Sequence, residues 1–194
     1  MENKSFFARN KTLIIVVVVV LVVVLWGVST YNGFVSQNEQ ITAQWSQVEN
    51  QYQRRFDLIP NIVATVKGVA GQEQKVFGDI SEARTRYSGA SSPDARAAAA
   101  GQVESALGRL LVIAENYPVL QSSQSYRDLT VSLEGTENRI SVERMKYNDL
   151  VRGLNTSVKR FPTSILASIF GVGERTYFEV SEEAAQNPTV DFGY

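Results

Sequence analysis

Two clusters of charged and amide side chains interrupt otherwise apolar helical patterns, and they are where chemistry would reside. The first is Arg54, Arg55 and Asp57 within RRFDLIPNIV, with Pro60 and Asn61 close behind. The second is Glu134, Glu137, Asn138 and Arg139 within LEGTENRI. On a helix, Glu134 and Asn138 lie four apart on one face, as do Gly135 and Arg139. Carboxylates such as Glu134, Glu137 and Asp57 can serve as acid and base, or as oxygen ligands of a divalent cation. The same side chains can instead pair with arginines of neighbouring helices and set the level at which those helices cross. Buried charge is tolerated only when paired. The structural reading is the stronger, because no nucleophile, phosphate loop or diagnostic ligand spacing accompanies these residues. Asn148 and Asn155, seven apart on one stripe, are expected to hydrogen-bond between helices. Gly135 and Gly153, inside the same long pattern, are expected to mark close helix approach, at about 1 kcal/mol each relative to alanine.

Composition narrows the options further. The 194 residues carry 19 Lys+Arg against 20 Asp+Glu, a net charge of −1, with no histidine and no cysteine. Without histidine there is no imidazole base, imidazole metal ligand or charge switch near neutrality. Without cysteine there is no disulfide, thiolate nucleophile or thiolate metal site. The balanced charge argues against a nucleic-acid partner. No catalytic, cofactor-binding or metal-ligating residue is therefore assigned. The chemistry to expect is binding.

The elements that must position these clusters begin with an anchor. Leu13–Val28 reads LIIVVVVVLVVVLWGV, and no charged residue occurs between Lys11 and Glu39. About 20 apolar residues suffice to span a hydrocarbon core of roughly 30 Å. In lipid a lone segment satisfies its backbone only as a helix, which overrides the poor helix propensity of valine in water. Residues 13–30 are read as a transmembrane helix after a short basic tail, 1–12. A secretory signal would share the basic start and the small residues Gly27 and Ser29. The length of the run, with Trp26 and Tyr31 at the interfacial level, favours an uncleaved anchor. Lys4, Arg9 and Lys11 precede the span, and the 20 residues after Thr30 contain no Lys or Arg. This bias predicts a cytoplasmic N-terminus and a bundle on the far side of the membrane.

Beyond the anchor, residues 31–173 read as a helical bundle domain. Ile41, Trp45, Val48, Tyr52, Ile59, Val66 and Val69 recur at helical spacing, with Ile62 and Val63 in the same stripe. Pro60 interrupts it. A kink is the better expectation, since the stripe keeps phase, but a turn into a new helix starting at Pro60 stays open. Ser88–Asp94 is dense in turn formers, and Ser92 or Asp94 can cap the helix that follows. Tyr126, Leu129, Leu133, Ile140, Tyr147, Leu150 and Leu154 then form the most regular pattern in the chain. The segments 31–58, 61–87, 94–117 and 126–160 predict an all-α, elongated up-and-down antiparallel bundle of about four helices. Ile165, Leu166, Ile169 and Phe170 form a short apolar turn that either covers the bundle end, the preferred reading, or lies on the membrane surface. Residues 174–194 read as a partly ordered acidic tail, in which Tyr177 and Phe178 are candidate anchors.

Read in order, the chain also resembles a known family. The blocks RRFDLIPN, ALGRLLVIAENYPVL, GTENRI, the KYN of Lys146–Asn148, and FPTSILASIFG, followed by TYFEV and VDF, look like the LemA family. Each block is modest alone, but their order and spacing are specific, and the resemblance covers nearly everything from Tyr31 to Phe192. It implies a single-pass bacterial inner-membrane protein with a multi-helix up-and-down bundle, and it brings no catalytic mechanism. It also suggests a setting near membrane metalloproteases in envelope quality control, which is association rather than mechanism.

The expected function is thus a non-enzymatic, membrane-anchored scaffold or interaction module in the bacterial cell envelope. Its expected partners are the bilayer, through residues 13–30, and other copies of the chain. An adaptor for a membrane protein such as a protease is the alternative. A carboxylate-based hydrolase or metal binder stands third.

Overall fold

The computed structural model describes residues 10–71 and 74–178. Their regular structure is entirely helical, in the order α1 (Lys11–Lys67), α2 (Gln74–Gly89), α3 (Pro93–Glu115), α4 (Pro118–Ser122), α5 (Gln124–Lys159) and α6 (Thr163–Phe170). An apolar N-terminal helix followed by a helical bundle, as the sequence predicts, is the fold of the chain. The basic tail falls almost wholly at residues 1–9, and most of the acidic tail follows residue 178. Those parts of both tails lie outside the described residues.

α1 runs unbroken for 57 residues, from the apolar segment into the bundle. Its first part is long and apolar enough to cross a membrane, and Leu13–Leu25 expose their side chains along the whole run. Pro60 lies inside this helix, and the turn to a new helix at that point does not form. Proline presets a helical φ and removes only one donor. Ile59, Ile62 and Val66 are fully buried on either side of it, and their burial outweighs a local cost of about 3 kcal/mol.

The segment read as 61–87 is consequently not one helix. α1 ends at Lys67, and Gly68 and Gly71 flank the break before α2 begins at Gln74. Two glycines within four residues withdraw helix propensity, and the one buried side chain between them, the small Ala70, does not restore it. Val69, counted in the apolar stripe, lies past the helix end and is exposed. A further short helix, α4, occupies part of the connection between α3 and α5. At the start of α3, Ser92 is the cap, its Oγ accepting the Ala95 N–H at 3.2 Å, and Pro93 takes the first helical position.

The chain divides into two packed units. One combines α1 up to Ile41 with Leu150–Arg175, and the other combines Thr42–Asp149 with the chain from Thr176. In the first, Phe34, Ile41, Val151, Leu154 and Ala167 form the buried core. Gln37 Nε2 donates to Ser157 Oγ at 3.4 Å, and the Tyr31 and Phe170 rings meet edge-to-face at 5.0 Å. The C-terminal part of α5 therefore runs antiparallel to α1, and α6 carries the chain on to Tyr31. Gly171 closes α6 in the left-handed region at φ 67°, with the Val172 N–H returning to the Ala167 carbonyl at 2.9 Å.

The second unit is an up-and-down arrangement of four helices. Polar pairs give the directions. Gln44 meets Glu143 while Arg55 meets Glu137, so α1 and α5 run antiparallel. Glu49 meets Arg96 while Tyr52 meets Glu104, so α1 and α3 run parallel. Asp79 meets Arg109 while Arg86 meets Gln102, so α2 and α3 run antiparallel. The core is built from Val48, Tyr52, Phe56, Ile59, Ile62 and Val66 of α1, Ile80 of α2, Val103, Leu107 and Leu110 of α3, and Leu133, Ile140 and Tyr147 of α5.

Candidate functional site

The most concentrated polar chemistry of the described residues lies inside the four-helix unit. Arg55, only 8% exposed, projects from α1 among Tyr52, Phe56 and Ile59, where the apolar stripe would otherwise be continuous. Its guanidinium contacts Glu104 of α3 at 3.5 Å and makes a close ion pair with Glu137 of α5. Arg144 of α5 approaches the same Glu104 at 3.8 Å, and the Tyr52 hydroxyl donates to Glu104 Oε1 at 3.2 Å. Two arginines and two carboxylates thus alternate across three helices. Such a set satisfies its own charge, the condition for holding ions away from water. Arg55 Nε is nevertheless buried without a hydrogen-bond acceptor.

The electrostatics follow from that crowding. Burial, reinforced by the neighbouring Glu137, pushes the Glu104 carboxyl above its usual range, while Arg55 and Arg144 pull it back. Burial also raises the Tyr52 hydroxyl, with Glu104 adding to the effect. Burial alone pushes Tyr87 up to about 12. Glu143 goes the other way, held low by hydrogen bonds from Lys146 and Gln44. Each phenol here is kept neutral and Glu104 is kept close to its cations, an arrangement that holds helices in register.

A second polar device adjoins it. Asn148 receives the Phe178 N–H on Oδ1 at 2.8 Å and donates from Nδ2 to the Phe178 carbonyl at 3.0 Å. Asn155 treats Arg175 the same way, at 2.9 Å in both directions. These asparagines were expected to bridge helices. They bind the backbone of the segment after α6 instead, because a primary amide presents both the donor and the acceptor that a backbone C=O and N–H require. Phe178 is buried against Trp45 and Tyr52, with the Arg144 guanidinium 4.3 Å above its ring. Tyr177, the other candidate anchor, is exposed.

The remaining sequence candidates are dispersed. Asp57 is exposed and accepts from Gln53 at 3.0 Å; Pro60, Asn61, Glu134 and Asn138 are exposed as well. Arg54 and Arg139 line a shallow hollow of about 200 Å³ with Leu58, Ser132, Gly135 and Thr136. Glu134, Glu137 and Asp57 do not converge, and among the described residues no three carboxylates lie close enough to share a metal ion. Gly135 and Gly153 mark no close approach: a Cβ on either would meet nothing within 4 Å. Sequence reading found Arg55 and Glu137 but missed Tyr52, Glu104 and Arg144 as their partners. The available signal was a charge set inside an apolar pattern, Glu104 between Val103 and Leu107 and Arg144 between Ile140 and Tyr147.

Comparison with known proteins gives this arrangement its family. The profile of the LemA family matches residues 44–192, about three quarters of the chain. The chain belongs to the LemA family. The match to LemA takes in Arg55, Glu104, Glu137, Arg144 and both asparagines, and begins after the apolar part of α1. Magnetosome protein MamQ 2 of Paramagnetospirillum magneticum is 29% identical over 186 residues, covering 82% of this chain and 68% of its own length. Magnetosome protein MamQ of Magnetospirillum gryphiswaldense is 28% identical over the same coverage. Together with the apolar helix, the family assignment describes a membrane-associated helical protein.

Proposed function

We propose that this LemA-family chain is a non-enzymatic scaffold, anchored in the bacterial inner membrane and working by lateral self-assembly. Residues 13–30 span the bilayer with the N-terminus in the cytoplasm, and the helical bundle stands on the opposite side. The observation that carries this reading is α1 itself. An exposed, uncharged apolar segment passes without a break into the helix that supplies much of the bundle core. Confinement to two dimensions raises effective concentration, so weak side-to-side contacts suffice for assembly. The internal pairing of Arg55, Glu104, Glu137 and Arg144 supports a structural use of the charges that sequence reading considered for catalysis.

An adaptor for a membrane protease is the second reading. It draws on a hollow of about 440 Å³ between α2 and α3, lined by Ala98, Gly101 and Ser105 with Asp79, Arg86 and Arg109 at its edges. The particle mass of the full chain in mild detergent, compared with a chain beginning at Tyr31, separates the two. A uniform oligomer that dissociates without the span is expected. A monomer in both cases overturns the scaffold and directs attention to the α2–α3 hollow.

A further inference from the structure

We propose that α6 is a second membrane contact, seated in the interfacial layer of the same bilayer that α1 spans. This rests on the anchoring of α1 proposed above. The helix has two unlike faces. Ala167 is buried and Leu166 half-buried against the protein, while Ile165 and Ile169, one turn apart, are 54% and 69% exposed. Phe161, immediately before the helix, is 78% exposed, and Phe170 at its end is 38% exposed. Two isoleucines and two phenylalanines left to water within ten residues are more than the scattered apolar exposure of an ordinary surface.

The position of this face selects its occupant. The Phe170 ring meets the Tyr31 ring at 5.0 Å, and Tyr31 is the first residue after the apolar span. The exposed stripe is therefore continuous with the exposed apolar surface of α1 at the level where Trp26 and Tyr31 mark the membrane boundary. The charges agree. Arg160 is exposed directly before Phe161 and offers a cation at the edge of the apolar face, while the neighbouring Lys159 is taken up by Glu174 at 2.7 Å. An exposed apolar face with a basic residue at its edge fits a helix lying in the interfacial plane. The preferred sequence reading, that this segment simply caps the bundle, accounts for Ala167 but leaves Ile165 and Ile169 without a partner.

The absence of cysteine makes the test direct. Single variants of the full chain, I169C, I165C, V20C and D128C, are labelled with an environment-sensitive fluorophore and reconstituted in phosphatidylcholine–phosphatidylglycerol vesicles. Lipids carrying a nitroxide on a shallow or on a deep acyl carbon then serve as the quenchers, the shallow one for positions 165 and 169 and the deep one for position 20. The labels at positions 165 and 169 should lose at least about twofold in emission, as an interfacial helix requires. The label at 128, exposed on α5, should be quenched only by aqueous iodide. If position 20 responds to the nitroxide lipid while 165 and 169 respond only to iodide, this inference fails and the anchor stands. If position 20 does not respond, the anchor itself fails. If 165 and 169 are shielded from both quenchers, another copy of the chain covers α6, which also overturns the proposal.

Discussion

Asn148 and Phe178 are joined by two reciprocal hydrogen bonds, 2.8 and 3.0 Å long, between one side-chain amide and one backbone residue. The pair ties the surface of α5 to the backbone of the segment that follows α6. It also delivers the Phe178 ring beside Arg144, so the charged network and the end of the described chain share a wall.

Replacing Asn148 by alanine removes both bonds and leaves the Phe178 backbone groups without their partner. A loss of about 1–3 kcal/mol is expected in thermal unfolding followed by circular dichroism. Limited trypsin digestion should separate local from global effects. Cleavage after Arg175 should accelerate in N148A more than cleavage within the bundle, and unchanged cleavage there would show that the amide holds nothing.

Arg55→Met strands a buried Glu104 with only Arg144 and Tyr52 as partners. Breaking a buried pair from one side typically costs about 3–5 kcal/mol; the remaining partners and the half-exposed Glu137 bring the expectation to about 2–3 kcal/mol. The double variant R55M/E104L should recover part of this loss. The pH dependence has a definite sign. A carboxyl held above its ordinary value keeps its proton in the folded state after the unfolded state has lost it, so this group's contribution to stability falls as pH rises through that interval. E104Q should flatten that part of the stability profile, and R55M should carry the interval to higher pH.

Tyr87 provides an alkaline counterpart. Its hydroxyl is pushed up to about 12, so the unfolded chain ionises first and stability should decline between pH 10 and that value. Denaturant melts of Y87F should be less sensitive to pH there than those of the native chain. Equal slopes would show that the phenol is not shielded.

Gly135→Ala and Gly153→Ala should each stabilise the protein by about 1 kcal/mol, because neither added methyl meets a neighbour. For a chain of this size that raises the unfolding midpoint by about 2–4 °C per substitution. A fall in the midpoint would instead indicate that another surface packs against α5 at these glycines.

Much of this could be read before any coordinates. The stripe of Ile41, Val48, Tyr52, Ile59 and Val66 predicted a helix, and all five are buried. Arg55 and Glu137 could be picked out among the candidates for pairing between helices, because charge within apolar periodicity requires an answer; which residue meets which could not. Their third partner could not, since Glu104 lies 49 residues from Arg55 and no local pattern links them. The helix break was misplaced for a related reason. Proline is a strong local signal and two glycines a weak one, but the burial that decides which prevails is set by other segments.

By itself, the sequence determined the helical class, the apolar segment, the absence of imidazole and thiol chemistry, and the residues that must be buried. These follow from side-chain type and period, which are properties of a single segment. Only the tertiary structure decided that α1 passes through Pro60, that Glu104 lies between two arginines, and that Asn148 and Asn155 hold backbone rather than another helix. Those outcomes depend on which surfaces meet. Meeting is settled by the sum of packing and polar satisfaction over several segments at once.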